Sequence, residues 1–250
     1  MTGTQRKRRG VLLSGGIDAT YNYPRYANDL GLAYKVLKEC CGYTEDDIDV
    51  LYSYGRTITY DGLTIKARIA QKENLLRLLE HCQQELKEND EFVLVVSNHG
   101  DDKYNGLINL WGNEIILLEE LAQWLKGIKA AKLIILGECY SGNFICNNIE
   151  NSCIITGNEA GKYTYAHPDN WEYDEFIYNF FSYILGKYPD TMQVIKGSRV
   201  DVEEAFRFAV AHDAFNPNNE NYVSKYNDSS NQYTEIPQMN NNISGCFKFE

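Results

Sequence analysis

The sequence lacks paired cysteine motifs, long apolar runs and an excess of basic residues. Its seven cysteines show no Cys-x-x-Cys spacing. Neither a disulfide framework nor a zinc site is therefore predicted, and the thiols should be reduced. No apolar run reaches the roughly 18 residues that a membrane-spanning helix needs. We accordingly predict no membrane segment, no metal and no cofactor.

The charge balance excludes a further class of partner. Asp and Glu number 35 against 24 Lys and Arg, which gives a formal net charge of -11. Nucleic acid is not an expected partner, because binding phosphates needs clustered basic residues. The basic cluster at residues 6–9 precedes only the short apolar run Val11-Leu12-Leu13, too short for a signal-peptide core. The expected location is the cytoplasm.

The loop VLLSGGIDAT, which follows the basic cluster, admits two interpretations. It resembles the SGGxDS loop of ATP pyrophosphatases, in which backbone amides at a strand end hold phosphate. Ala19 stands where that loop has a hydroxyl residue, and Pro24 delays the helix that should follow at once. The alternative is that this stretch is only the end of a first strand with its exit loop.

Apolar runs alternate with helical patterns along the chain. The runs at residues 10–13, 48–54, 92–97, 133–136 and 153–156 predict buried, largely parallel strands. Helical apolar spacing covers residues 25–41, 73–86, 116–128 and 173–185. This alternation and a hydrophobic content of 44% predict one α/β domain over residues 1–250, with a mostly parallel central sheet and helices on both faces.

Two further segments have recognisable local patterns. Residues 107–116, LINLWGNEII, place Gly-Asn between short apolar pieces and predict a small hairpin after the third strand. Residues 216–242 are rich in Asn, Ser and Tyr and predict a long flexible loop. A last strand is expected at residues 246–249.

The candidate chemistry lies where the third and fourth apolar runs end. The third run ends in SNHG and the fourth in GECYSG, so His99 and Cys139 should lie beyond the carboxyl ends of strands, where ligands of open α/β sheets bind. A thiol with an ordinary pKa of about 8.5 needs a base to become a good nucleophile, and His99 fits that role. The backbone amides of Gly100 and Cys139 are candidate oxyanion donors, and Ser141-Gly142 should start a helix.

These motifs resemble those of a known group of enzymes. SNHG with GECYSG is similar to the His-Gly and Cys motifs of the caspase and legumain clan of cysteine peptidases. YNYPRYANDLGLAYKVLKE resembles the first helix of the legumain branch, CIITGNEAGKYTYA its strand and loop after the cysteine, and YDEFIYNFF the next helix. The likeness covers residues 10–186. It implies a caspase-like three-layer sandwich, and cleavage of protein or peptide substrates by Cys139 as nucleophile with His99 as base and acid.

The same resemblance implies roles for further residues. Asn22 would orient His99 if one inserted residue is allowed. Arg25 and Asp174 would form opposite walls of the primary specificity pocket, with Thr164 near its rim. A donor facing an acceptor suits an amide, so Asn is favoured before the scissile bond, whereas Arg25 alone would favour Asp.

The chain also departs from the family pattern, and this leaves alternatives open. Glu138 replaces a small residue before the cysteine, and its carboxylate would either raise the thiol pKa or bind a basic side chain, so Arg or Lys preference stays open. Activity should be restrained by a regulatory protein partner or by self-cleavage within residues 216–231. The competing hypotheses are a catalytically silent scaffold of the same fold that binds a partner protein, and a transamidase with the same dyad.

Overall fold

The computed structural model describes residues 6–169, 171–197, 201–219, 234–243 and 247–249. Its strands are β1 (Arg8–Ser14), β2 (Ile48–Tyr52), β3 (Ile58–Tyr60), β4 (Leu63–Ile65), β5 (Glu91–Val96), β6 (Gly100–Asp101), β7 (Leu107–Asn109), β8 (Ile115–Leu117), β9 (Ala131–Leu136), β10 (Ser152–Thr156) and β11 (Gln238–Asn241). The central sheet has 6 strands in the order β11-β10-β9-β5-β1-β2. All its pairings are parallel except β10 with β11, which is antiparallel. The predicted α/β class with a mostly parallel sheet is confirmed.

Helices cover both faces of this sheet. They are α1 (Pro24–Cys40), α2 (Lys72–Glu85), α3 (Leu118–Lys126), α4 (Glu175–Leu185) and α5 (Val202–His212). Successive strand residues point to opposite faces, so Leu12 packs in the cluster with α1, α4 and α5, whereas Val11 and Leu13 pack in the cluster with α2 and α3. Burial on both sides explains why the strands are continuous apolar runs.

The strands and helices predicted up to residue 185 occur near their expected positions, and the structure has one further α-helix, α5, that the sequence patterns did not predict. Asp201 caps its first turn by accepting hydrogen bonds from the N–H groups of Glu203 and Glu204. The predicted hairpin is also present, because β7 pairs with β8 in antiparallel register. A small three-stranded sheet, β6-β7-β8, therefore stands beside the carboxyl end of β5.

The chain end differs from the prediction. The last strand of the central sheet is β11, which lies inside the stretch expected to be a loop at residues 216–242. At residues 247–249 the structure has only an isolated bridge between Lys248 and Asp201. Polar β11 carries no apolar alternation, so its sequence gave no strand signal. Most of the predicted Asn-rich loop, and of the 216–231 segment, lies outside the described residues.

Within the described ranges, no helix combines the length and the apolar character needed to cross a membrane.

The segments that carry the candidate residues meet at one edge of the sheet. Strands β5 and β9 are neighbours, with Val96 paired to Leu136 at their last residues. The segments that follow them, together with the exit of β1, the start of α1 and the start of α4, surround the same edge.

Candidate active site

His99 and Cys139 follow the ends of these two neighbouring strands, as predicted. Gly137 continues the ladder by donating its N–H to the Val96 carbonyl oxygen at 2.8 Å. The backbone then leaves the sheet after each strand, and His99 and Cys139 each lie three residues after the last residue of their strand. The parallel pairing therefore places an imidazole and a thiol at one edge of the sheet.

Gly100 packs directly against the backbone of Cys139. A Cβ atom added to Gly100 would lie 2.0 Å from the carbonyl oxygen of Cys139, so a side chain does not fit there. The N–H of Asn109 bonds to the His99 carbonyl at 3.0 Å, beside the Gly100 and Ile108 pair. Gly100 thus occupies a non-hydrogen-bonded position, and its own N–H points out of the β6–β7 ladder.

The Cys139 thiol is half-buried and contacts Thr164 rather than His99. Sγ lies 3.8 Å from both the carbonyl oxygen and Oγ1 of Thr164, and Oγ1 donates to the Gly137 carbonyl at 2.9 Å. Burial raises the pKa of the thiol, the contacts with Thr164 lower it, Asp174 raises it and Arg25 lowers it. The resting thiol is therefore protonated at neutral pH.

The His99 imidazole is held by a backbone carbonyl. Nε2 lies 2.9 Å from the carbonyl oxygen of Tyr21. A carbonyl only accepts, so Nε2 carries the proton and Nδ1 is left as the basic nitrogen. Burial lowers the pKa of His99, the bond to Tyr21 opposes this, and Arg25 lowers it further. The ring is thus neutral at neutral pH and suited to accept a proton.

Three tyrosine rings surround the His99 imidazole, whereas the side chain of Asn22 forms its hydrogen bond elsewhere. Tyr21, Tyr23 and Tyr26 present ring contacts to His99 with centroid distances of 6.1, 5.0 and 5.3 Å. Asn22 instead donates to the Tyr52 hydroxyl at 3.1 Å. The orienting role expected for Asn22 therefore falls to the Tyr21 carbonyl, the residue just before it. A backbone acceptor leaves no signature in side-chain identity, so sequence alone could not assign it.

Arg25 lies beside the dyad. Its guanidinium carbon is 4.7 Å from the ring centre of Tyr23 and 4.9 Å from that of Tyr26, as cation–π contacts. Its positive charge contributes to the lowered pKa of His99 and opposes the raised pKa of Cys139. Arg25 is therefore a partly desolvated cation of the site and not a freely solvated helix charge.

Asp174 is the buried acid of the same region. It caps α4 by accepting the Ile177 N–H at 3.0 Å. Burial raises the pKa of Asp174 to about 7, against the opposing effects of the Ile177 bond and Arg25. Because Asp174 also raises the pKa of Cys139, the structure brings Arg25, Asp174, Thr164 and Cys139 into one electrostatic unit.

Glu138 does not present its carboxyl group to a substrate. The residue is fully buried, and neither side-chain oxygen has a hydrogen-bond partner among the described residues. Burial raises the pKa of Glu138 to about 8, and Asp174 adds to the effect. Glu138 is thus a neutral acid at neutral pH, which removes the expected role in binding a basic side chain.

The turn after the cysteine is tighter than predicted. Tyr140 adopts a left-handed backbone conformation with φ 63, and residues Ser141–Phe144 form a short 3-10 helix. A helix therefore starts at Ser141-Gly142 as expected, but it is a 3-10 helix of only 4 residues. A single turn carries little dipole, so the pKa of the thiol depends on the side chains around it.

The loop after β1 forms a wall of the site. A Cβ atom on Gly15 would lie 2.4 Å from Cα of Leu110, and Gly16 donates its N–H to Oδ1 of Asn98 at 3.0 Å. The amide of Gly16 is thus used to anchor the residue before His99. This arrangement favours the interpretation of the glycines as packing residues over a phosphate loop.

In the part of the chain that the structure describes, no cluster of His, Cys, Asp or Glu side chains forms a metal-binding group. No protein-family model matches the chain, and no curated protein matches it significantly. A function for this chain therefore has to be inferred from the geometry and chemistry of its own residues.

Proposed function

We propose that this protein is a cysteine endopeptidase that uses Cys139 as nucleophile and His99 as base and acid, in a caspase-like and legumain-like arrangement. The observation that carries the proposal is the placement of the two residues at the ends of neighbouring strands, with Gly100 packed on the Cys139 backbone. Peptide hydrolysis by a cysteine nucleophile needs a thiol, a proton carrier and an oxyanion site within one small region. The proposed setting is a cytoplasmic hydrolase restrained by a protein partner or by self-processing.

Before a peptide binds, the Cys139 thiol and the His99 imidazole are both neutral. When a peptide binds, the thiol turns from Thr164 toward the scissile carbonyl, and Nδ1 of His99 accepts its proton as sulfur attacks carbon. The tetrahedral intermediate collapses, the carbon–nitrogen bond breaks, and His99 gives the proton to the leaving amine. Water then attacks the thioester with His99 as base, which releases the carboxylic acid and restores the thiol.

Gly100→Ala should lower kcat/KM by roughly 10²- to 10³-fold. The added Cβ would displace the Cys139 backbone and with it the two N–H groups proposed to stabilise the oxyanion. Gly112→Ala is the matched control, since its Cβ meets no atom within 4 Å and only its φ of 81 is strained. Steady-state kinetics and melting temperatures should show a catalytic loss for Gly100→Ala and mainly a stability loss for Gly112→Ala. Equal catalytic effects would contradict the oxyanion assignment.

The proposed specificity pocket combines Arg25 and Asp174. An ionised Asp174 opposite Arg25 gives a donor and an acceptor, which suits the amide of Asn. Once Asp174 is protonated, the positive charge of Arg25 is unopposed and suits a carboxylate. The buried position of Glu138 weakens the case for Arg or Lys.

The preference should therefore change with pH. The pKa of Asp174 is about 7, so the ratio of kcat/KM for Asp over Asn substrates should fall about tenfold as pH rises through neutrality. Asp174→Asn keeps a helix-capping side chain and cannot ionise, so its ratio should not vary with pH. Paired fluorogenic peptides that differ only in this residue provide the measurement. A wild-type ratio that is constant across this range would exclude Asp174 as a pocket wall.

The proposal itself is tested with a fluorogenic peptide library varied at the residue before the scissile bond. Cleavage after one residue class, together with a mass increase at Cys139 from a peptidyl chloromethyl ketone of that class, is the expected result. No cleavage, with Cys139 alkylated no faster than the exposed Cys146, would reject the enzyme. Products that form only with an added amine would identify a transamidase instead.

A silent scaffold is the second candidate, because the thiol contacts Thr164 and its pKa is raised rather than lowered. Such a protein would bind a partner through the same surface without cleaving it. The alkylation comparison above separates this candidate from the peptidase, since a scaffold has no reason to activate Cys139 over Cys146.

A further inference from the structure

Asp29 links separate parts of the site. It lies on α1, one turn after Arg25, and is fully buried. Its Oδ1 accepts the backbone N–H of Asp174 at 3.0 Å, and its Oδ2 is hydrogen-bonded to Oγ of Ser97 at 2.5 Å. Both oxygens of one buried carboxyl group are therefore engaged with residues distant in sequence.

The two hydrogen-bond partners of Asp29, Ser97 and Asp174, belong to different segments of the site. Ser97 follows the last residue of β5 and precedes His99 by two residues, so its position fixes where the imidazole segment leaves the sheet. Asp174 caps α4, and its carboxyl group interacts electrostatically with Arg25 and with the Cys139 thiol. The helix that carries Asp29 also carries Arg25.

We propose that Asp29 is a positioning residue that fixes the exit of β5 and the Asp174 wall relative to Arg25. The inference rests on the proposed peptidase function for its kinetic consequences. Its structural part concerns only the placement of Ser97 and Asp174. A displacement of about 1 Å in such a site can reduce a rate by about 10²-fold, so this link should matter for catalysis.

Asp29 accepts two hydrogen bonds although burial raises its pKa. Burial and then the neighbouring Asp174 hold the pKa of Asp29 well above its ordinary value, against the bonds from Ser97 and the Asp174 N–H and the charge of Arg25. Both oxygens of Asp29 accept, Oδ1 from the Asp174 N–H and Oδ2 from the Ser97 hydroxyl. A hydroxyl can also accept, so Ser97 can turn to receive a hydrogen bond from an amide placed at Oδ2. An Asn side chain can therefore keep both contacts, with its oxygen toward Asp174 and its amide toward Ser97.

The other ionisable groups that face Asp29 are tyrosines. Tyr26 on α1, Tyr60 on β3 and Tyr173 before α4 are each affected by its charge. Burial is the largest cause of the raised pKa of each of these hydroxyls, so they stay neutral through the neutral range. Arg25 and Asp174 are therefore the charges that Asp29 meets near neutral pH.

The experiment compares Asp29→Leu, Asp29→Asn and Ser97→Ala with wild type. Glu91→Leu is the matched control, because Glu91 is a fully buried acid at the opposite end of β5. Two quantities are measured for each folded protein: kcat and KM with the best peptide, and the rate of Cys139 alkylation by iodoacetamide as a function of pH. Alkylation is followed at Cys139 by peptide mass spectrometry and requires no peptidase activity.

Asp29→Leu is expected to lower kcat about 10²-fold, and Asp29→Asn to restore it close to wild type. In wild type the alkylation profile should respond to Asp174 near its pKa of about 7, since the Asp174 carboxylate raises the pKa of the thiol. Asp29→Asn should keep this response and Asp29→Leu should shift it. Glu91→Leu should lower the melting temperature without changing either profile.

Unchanged kinetics and alkylation in Asp29→Leu would overturn the inference. It would also be overturned if Asp29→Asn were as deficient as Asp29→Leu, because charge and not hydrogen bonding would then be required. If Asp29→Leu fails to fold, Ser97→Ala decides, with reduced kcat expected and unchanged kcat contradicting the link. If wild type cleaves no peptide, the proposed function fails, and the alkylation profiles still test the positioning of Asp174.

Discussion

Cys139→Ala should reduce kcat/KM for the best peptide by a factor of about 10⁴ or more, because no other group at this edge of the sheet can form the thioester. His99→Ala should have a comparable effect. The pKa of the thiol is raised, so the thiolate is scarce at neutral pH and attack depends on proton transfer to the imidazole. Initial rates with a fluorogenic peptide, with folding checked by circular dichroism, provide the measurement.

The same chain offers a control for this loss. Cys146 lies just beyond the Ser141–Phe144 turn and is exposed, so Cys146→Ala should leave the rate unchanged. The pKa of His99 is lowered from its ordinary 6.5, so the acid limb of kcat/KM should lie below that pH in Asp174→Asn, which lacks the separate titration of Asp174 near pH 7. Full activity in Cys139→Ala would assign catalysis to other residues, and a limb well above pH 6.5 would exclude neutral His99 as the base.

Much of the architecture could be predicted because the central strands are buried on both faces. Residues 92–96 and 133–136 are continuous apolar runs, and polar residues that follow such runs meet at one edge of a parallel sheet. This rule alone places His99 near Cys139. The strand β11 escaped prediction because its residues, Gln-Met-Asn-Asn, are held by the ladder to β10 and not by apolar burial.

The parts of the site that could not be predicted depend on long-range contacts. Asp29 bonds to Ser97 and to Asp174, 68 and 145 positions away, and no local pattern encodes such a link. The orienting group of His99 is a backbone carbonyl, which every residue possesses. For Glu138 the sequence indicates a carboxyl group beside the thiol. Its complete burial departs from the usual behaviour of glutamate and could not be foreseen.

Glu138 should make folding stability strongly dependent on pH. Burial raises its pKa from an ordinary 4.5 to about 8 in the folded protein. The folded state therefore holds the proton more tightly than the unfolded chain, so stability is lost as pH rises from about 4.5 to about 8. For this one group the loss is on the order of 5 kcal/mol. Asp174 and Glu175, whose pKa values burial raises to about 7, add to it in the same direction.

Glu138→Gln should remove this contribution, because an amide does not ionise. Its free energy of unfolding should exceed that of wild type by several kcal/mol near pH 8.5 and match it near pH 4. Urea unfolding at a series of pH values measures the difference, and Glu150→Gln, at an exposed position, is the control that should follow the wild-type curve. Parallel curves for Glu138→Gln and wild type would mean that Glu138 finds water or a partner when ionised. The predicted slope instead requires that both of its oxygens remain unsatisfied, so the pH dependence of unfolding tests the burial of this carboxyl group next to the nucleophile.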